Sequence, residues 1–191
     1  MKRALLLSVC LLVVASMAFA QAGSIGVFAD PAGASCNLTD TAPGLKLVYV
    51  VHVYSPGATA SQFRVTADAG MLMTYLAEAV TAPYIKIGTC AGPAGTGCAI
   101  AYGSCVASPN MVLTVQYFAS GLTTPCAMFH VLPDISTIPP KTSVLVTNCA
   151  VPTPALLIAT GGEAYVNNNG SCPCNVPVEE TSWGQIKSLY Q

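Results

Sequence analysis

Residues 111–118 read Met-Val-Leu-Thr-Val-Gln-Tyr-Phe. Every second residue from Met111 to Tyr117 is apolar, whereas the alternate positions, which include Thr114 and Gln116, are mixed in character. When apolar residues recur at every second position, successive side chains lie on opposite faces of a β-strand, one toward a core and the other toward solvent. This segment therefore predicts a strand in a protein whose core is built by sheets.

The rest of the chain repeats this signal. Residues 45–54 are apolar on both faces apart from Lys46 and His52, which predicts a central strand buried on two sides. Eight further runs rich in β-forming residues are separated by Gly, Pro, Asn or Asp, at residues 24–28, 61–66, 84–88, 98–102, 127–132, 144–148, 156–159 and 163–166. Ten strands predict an all-β fold, a disulfide-stabilised β-sandwich of the immunoglobulin-like or jelly-roll-like kind.

Residues 69–80 have helical rather than strand spacing. Leu72, Met73, Leu76 and Val80 recur three or four residues apart, behind Asp68 as an N-terminal cap. The spacing predicts a short helix or helical loop that crosses between the sheets.

The C-terminal segment differs from the rest of the chain. After a polar, proline-bearing stretch, Ser182 and Gln185 have capping-box spacing and open a short amphipathic helix. A helix this short needs a surface to dock against, either its own sandwich or a partner protein. Its docking candidates share one side, namely Trp183, Ile186, Leu189 and Tyr190. We divide the chain into a signal peptide (1–20), a β-sandwich domain (21–174) and a linker with this tail helix (175–191).

The N-terminus predicts export. Lys2 and Arg3 precede an apolar stretch, and Ala18-Phe19-Ala20 has the small-x-small pattern of a cleavage site, so we expect a signal peptide cleaved near Ala20. No second apolar run is long enough to span a membrane. We therefore predict a secreted protein, extracellular or periplasmic, with no transmembrane segment after cleavage.

The composition excludes some classes of protein. The chain is 53% hydrophobic and 8% charged, which argues against disorder and against a coiled coil. Seven Lys+Arg against eight Asp+Glu leave no basic surplus for nucleic-acid phosphates, so no nucleic-acid partner is expected. Other secreted or cell-surface proteins remain as partners.

Eight cysteines follow the signal peptide, and behind an export signal an even number predicts disulfides. In a meander, Cys126 and Cys149 flank neighbouring strands, whereas Cys90 and Cys98 flank one loop, so we favour these two pairings. Cys105 or Cys36 would then pair with the tail cysteines, Cys172 and Cys174. A zinc site is disfavoured because Cys172-Pro-Cys174 lacks the usual two-residue spacer. The full set of disulfide candidates is Cys36, Cys90, Cys98, Cys105, Cys126, Cys149, Cys172 and Cys174.

No catalytic constellation is recognisable. His52 and His130 lie inside predicted strands among apolar residues, where structural roles are expected, and no GxSxG motif occurs. We predict no catalytic residue, no metal and no cofactor, hence a noncatalytic structural, adhesive or interaction module.

Two alternatives stay open. One is a carbohydrate or small-ligand binding module, and the other is a secreted hydrolase. The first would use a stacking platform drawn from Tyr75, Tyr84, Tyr102 or Tyr117.

Both ends of the chain resemble a group of uncharacterised secreted bacterial proteins. The similarity is carried by Ile-Gly-Val-Phe-Ala-Asp at residues 25–30 with Gly33 and Cys36, and by Glu-Thr-Ser-Trp-Gly-Gln-Ile-Lys-Ser-Leu-Tyr at residues 180–190. This resemblance implies bacterial export and transfers no catalytic residue. Residues 60–65, Ala-Ser-Gln-Phe-Arg-Val, loosely resemble cohesin and other immunoglobulin-like surface domains, which implies the fold alone.

Overall fold

The computed structural model describes residues 23–53, 55–172 and 174. The predicted signal peptide (1–20) and the predicted tail helix with Trp183, Ile186, Leu189 and Tyr190 lie outside these residues. Within the described part the chain forms no helix, so none is long and apolar enough to cross a membrane.

Twelve strands carry the fold. They are β1 (Ser24–Phe28), β2 (Asn37–Leu38), β3 (Gly44–Val53), β4 (Ala58–Ala67), β5 (Thr74–Val80), β6 (Ile85–Thr89), β7 (Gly97–Val106), β8 (Asn110–Ala119), β9 (Ala127–Leu132), β10 (Val144–Asn148), β11 (Leu156–Gly161) and β12 (Glu163–Val166). All ten predicted strands are present, four of them with the predicted bounds. The all-β prediction is confirmed.

The strands form a sandwich. One sheet has the order β1-β3-β8-β5, and the opposing sheet has the order β6-β7-β4-β10-β11. The far half of β4 leaves β10 and pairs with β9, which continues through β12 to β2. β11 joins the two sheets because its end runs parallel to β1.

The core lies between the sheets and is filled by alternating inward side chains. Leu113, Val115 and Tyr117 of β8 are buried, as the period of two predicts. Tyr117 meets Phe129 of β9 with ring centroids 5.0 Å apart, which links the two layers. β3 is central, but only its second half is buried on both faces, since Leu45 and Leu47 are exposed.

The predicted helix over residues 69–80 is wrong. Residues 74–80 form the edge strand β5, which pairs antiparallel with β8. A bulge between Tyr75 and Ala77 shifts the alternation by one residue, so the apolar spacing imitates a helical period. Leu72 and Leu76, two of the residues that carry the helical spacing, are exposed.

Four disulfides close the fold, and they differ in part from the predicted pairs. Cys90 is joined to Cys98 across one hairpin loop, and Cys36 is joined to Cys174. The favoured pairing of Cys126 with Cys149 is wrong: Cys126 is joined to Cys172, and Cys105 is joined to Cys149.

Strand order explains the correction. β9 pairs with β12 and not with β10, so Cys126, at the start of β9, lies beside the end of β12, where its N–H donates to Val166 O at 2.9 Å. Cys149, after β10, instead reaches Cys105 near the end of β7. A Cβ on Gly57 would lie 2.9 Å from Cys105 Sγ, so the disulfide passes directly over this glycine.

Candidate functional site

The outer face of the first sheet is covered at one side and open at the other. The loop between β1 and β2 folds back over β1 and β3, where a Cβ on Gly33 would lie 3.0 Å from Val53 Cγ1 and 3.3 Å from Val51 Cγ1. Asp30 fixes this loop by accepting hydrogen bonds from the backbone N–H groups of Ala32, Ala34 and Ser35.

The uncovered remainder, which we name the β3–β8–β5 face, is largely apolar and carries no charged residue in the rows given next. Strand register places its side chains in three rows across the sheet, Leu45–Phe118–Thr74, Leu47–Gln116–Ala77 and Tyr49–Thr114–Ala79. Leu45, Phe118 and Leu47 are 60%, 48% and 40% exposed. Contiguous exposed apolar surface of this kind marks interaction sites more often than chance exposure does.

The apolar surface continues past one end of this face. Leu72 and Leu122 are exposed on the loops that follow the Phe118 row, and the N–H of Leu72 donates to Thr123 Oγ1 at 3.1 Å, which brings the two loops together. Thr123 is itself held by the buried carboxylate of Asp40. At this end of the β3–β8–β5 face, the hydrogen bonds of Asp40 and Thr123 therefore lie below the surface, and Leu72 and Leu122 are exposed at the surface.

The outer surface of β9 and β12 has the opposite character. His130 lies between two carboxylates, with Nε2 2.9 Å from Asp68 Oδ1 and Nδ1 3.1 Å from Glu163 Oε1. Glu163 stands directly opposite His130 in the β9–β12 pair. Sequence reasoning missed both partners, because they are 62 and 33 residues away along the chain and only strand pairing brings them together.

Neither histidine is arranged for hydrolysis. Both ring nitrogens of His130 face carboxylates, so none is left to activate a nucleophile. His52 is buried in the core. Asp68 and Glu163 contact opposite ring nitrogens of His130 and so do not converge on one point, and no group of three or more His, Cys, Asp or Glu side chains in the described part of the chain could hold a metal ion.

The four tyrosines do not form an exposed stacking row. Tyr102 and Tyr117 are 1% and 4% exposed, and burial raises the pKa of both phenols. Tyr84 packs on Tyr102 with centroids 4.9 Å apart and donates to Asn110 Oδ1. Tyr75 meets Tyr117 edge to face with ring centroids 6.0 Å apart, and this pair is distinct from the Tyr84–Tyr102 pair. The predicted carbohydrate platform is therefore not assembled, although Tyr75 and Tyr117 come together.

Comparison with known proteins shows which solved structures have a similar fold. No family model and no curated protein matches the sequence. Among solved structures, a cohesin module of a family 33 glycoside hydrolase from Clostridium perfringens superposes with a TM-score of 0.50 at 7% identity, covering 78% of this chain and 98% of that one. A type I cohesin from Pseudobacteroides cellulosolvens gives 0.43 at 10% identity, covering 78% and 94%. A type I cohesin–dockerin complex from Clostridium thermocellum gives 0.42 at 6% identity, covering 76% and 93%.

The protein is thus a β-sandwich of the cohesin-like kind, and the resemblance inferred from residues 60–65 is confirmed at the level of the fold. At 7% identity the likeness extends no further than the fold. The four disulfides fit a protein of an oxidising compartment.

Proposed function

We propose that this protein is a noncatalytic interaction module of the bacterial cell exterior, and that it binds a partner protein through the β3–β8–β5 face. The observation that carries the proposal is the contrast within one sheet: the outer surface over β1 is covered by its own loop, whereas Leu45, Leu47 and Phe118 are left open. Exposed apolar surface favours a use in binding, and the crosslinking control below compares this face with the outer surface of the opposing sheet, where Leu156 and Ile158 are also exposed.

The chemistry of the face defines the partner. It is uncharged and largely apolar, with the polar residues Thr74, Thr114 and Gln116 beside its leucines and its phenylalanine. The partner surface should therefore also be apolar and uncharged, with an aliphatic or aromatic anchor that packs between Leu47 and Phe118. Long-range electrostatic steering should contribute little, so we expect association to be nearly independent of salt.

The export pattern and the disulfides support the location. A cleaved N-terminal segment would deliver the chain to an oxidising compartment, where all eight remaining cysteines would be paired. The blocked ring nitrogens of His130 and the burial of His52 support a noncatalytic role over a hydrolase.

Site-specific photocrosslinking in the producing cells tests the proposal. Benzoyl-phenylalanine in place of Gln116, at the centre of the β3–β8–β5 face, should yield a discrete adduct with one protein. The same probe in place of Leu145, on the outer surface of the opposing sheet, should not.

A matched pair of substitutions then assigns the contact. Phe118→Asp should abolish the Gln116 adduct, whereas Leu156→Asp, at a residue of similar exposure on β11, should leave it intact. Equal adducts from the two probe positions, no adduct from Gln116, or indifference to Phe118→Asp would each refute the proposal.

A further inference from the structure

A cavity of about 500 Å³ opens at the edge of the sandwich where β7 stops beside β4. β7 pairs with β4 only as far as Phe63, and beyond that point the edge of β4 faces the loop of residues 90–96. The volume falls in the range of small-molecule sites. Its lining includes Arg64, Val65, Met73, Tyr75, Pro93 and Tyr117.

Arg64 is the only arginine among the described residues, and it is half-buried without an anionic partner. Its Nε donates to Pro133 O at 3.1 Å, and this is the one hydrogen bond of its guanidinium within the described part of the chain. The carboxylates there that form ion pairs contact Lys86 or His130 instead. The two terminal nitrogens of Arg64 are therefore available in a fork that matches a carboxylate.

The walls of the cavity are held in place before any ligand arrives. The loop opposite β4 is closed by the Cys90–Cys98 disulfide. Its first two N–H groups donate to the carboxylate of Glu78, Cys90 N at 2.9 Å and Ala91 N at 2.7 Å. Binding would therefore order few groups, which lowers its entropic cost.

The aromatic wall is fixed as well. A Cβ on Gly92 would lie 2.7 Å from the ring of Tyr75, so this ring packs directly on the glycine backbone. It meets Tyr117 edge to face, and Met73 also lines the cavity. Aromatic and thioether groups of this kind suit the body of a planar apolar ligand.

From this arrangement we propose that the cavity is a binding site for small organic carboxylates with an aromatic or apolar body. Arg64 holds the carboxylate, and Tyr75, Tyr117 and Met73 contact the body. The cavity borders the β3–β8–β5 face at Thr74, but Arg64, Tyr75, Tyr117 and Met73 are not among the residues of that face, so the proposal does not rest on the proposed protein interaction.

Titration with sodium benzoate, followed by two-dimensional ¹⁵N NMR of the oxidised protein, tests the site. Benzoate should shift the amide signals of Arg64, Tyr75, Gly92 and Gly95. Benzamide has nearly the same shape without the charge, and it should bind about tenfold more weakly, because one charge-assisted pair is worth about that factor.

Variants separate the carboxylate contact from the rest of the site. Arg64→Gln should weaken benzoate about tenfold and leave benzamide unchanged, whereas Tyr75→Ala should weaken both ligands. Lys141→Gln removes a cation outside the cavity and should change neither. If Arg64→Gln lowers the melting temperature, Arg64→Lys keeps the charge without the fork and should give an intermediate affinity.

Three results would overturn the inference. The first is the absence of benzoate-induced shifts at 20 mM ligand, a concentration on the order of the weakest dissociation constant that a site of this size should show. The second is an equal affinity for benzoate and benzamide. The third is an equal loss of benzoate affinity in Lys141→Gln and Arg64→Gln.

Discussion

Glu78 should be the most consequential charged residue for the stability of this domain. Its side chain is 3% exposed on the edge strand β5, yet it contacts the other sheet through Lys86 Nζ of β6 and through the N–H groups of Cys90 and Ala91. One carboxylate thus satisfies three donors and joins the edges of the two sheets.

The two members of this ion pair should not be equivalent. Glu78→Ala leaves two backbone N–H groups and an ammonium without their acceptor, and breaking a buried pair in this way costs about 3–5 kcal/mol. Lys86 is 23% exposed, and Lys86→Met leaves the carboxylate with both backbone donors, so its cost should be only about 1–2 kcal/mol.

Urea unfolding followed by circular dichroism measures the difference. With a slope of about 2 kcal/mol per M, the midpoint should fall by about 2 M in Glu78→Ala and by less than about 1 M in Lys86→Met. Glu163→Ala is the control, since this carboxylate is half exposed and should cost less than about 1 kcal/mol. A loss in Lys86→Met that equals or exceeds the loss in Glu78→Ala would show that the backbone donors are unimportant.

Three further predictions concern Asp134, Gly97 and the disulfides. Burial opposes ionisation of Asp134, but hydrogen bonds from Ser136 and Gln62 and the charge of Lys141 outweigh it and lower the pKa of this carboxyl. Asp134 therefore stabilises the fold above the unfolded-state pKa of about 4, and this contribution is lost as the pH falls through the folded pKa. Asp134→Asn should be less stable at pH 7 and lose less on acidification, as urea midpoints at several pH values would reveal. Gly97→Ala places a Cβ 1.8 Å from Asp134 Oδ1 and should lower the melting temperature by well over 5 °C, or prevent folding; a change below 2 °C, less than about 1 kcal/mol, would contradict the geometry. Peptide mapping without reduction should recover the four disulfides given above, and recovery of any other pairing would contradict the strand order.

Local sequence patterns predicted the regular strands and failed where geometry was irregular. Residues 127–132 and 144–148 were placed with their observed bounds because side-chain alternation is a local property of the backbone. Residues 69–80 were misassigned because the bulge in β5 breaks that alternation. The two-residue strand β2 has no period to detect.

Contacts between distant segments could not be derived from such patterns. The pairing of Cys105 with Cys149 depends on both lying over Gly57 at the start of β4. The carboxylates around His130 depend on the register of β9 with β12. Each is a consequence of strand order, which the alternation of single strands does not encode.

By itself, the sequence determined the class of fold, because alternating apolar residues and frequent turn residues permit only strands packed as layers. Only the tertiary structure decided which surface stays open. Leu45, Leu47 and Phe118 have the same apolar character as buried residues of these strands, and whether a loop covers them depends on how the chain folds back over the sheet. The candidate site is therefore a product of long-range packing, since exposure is a property of the assembled layers and not of any one strand.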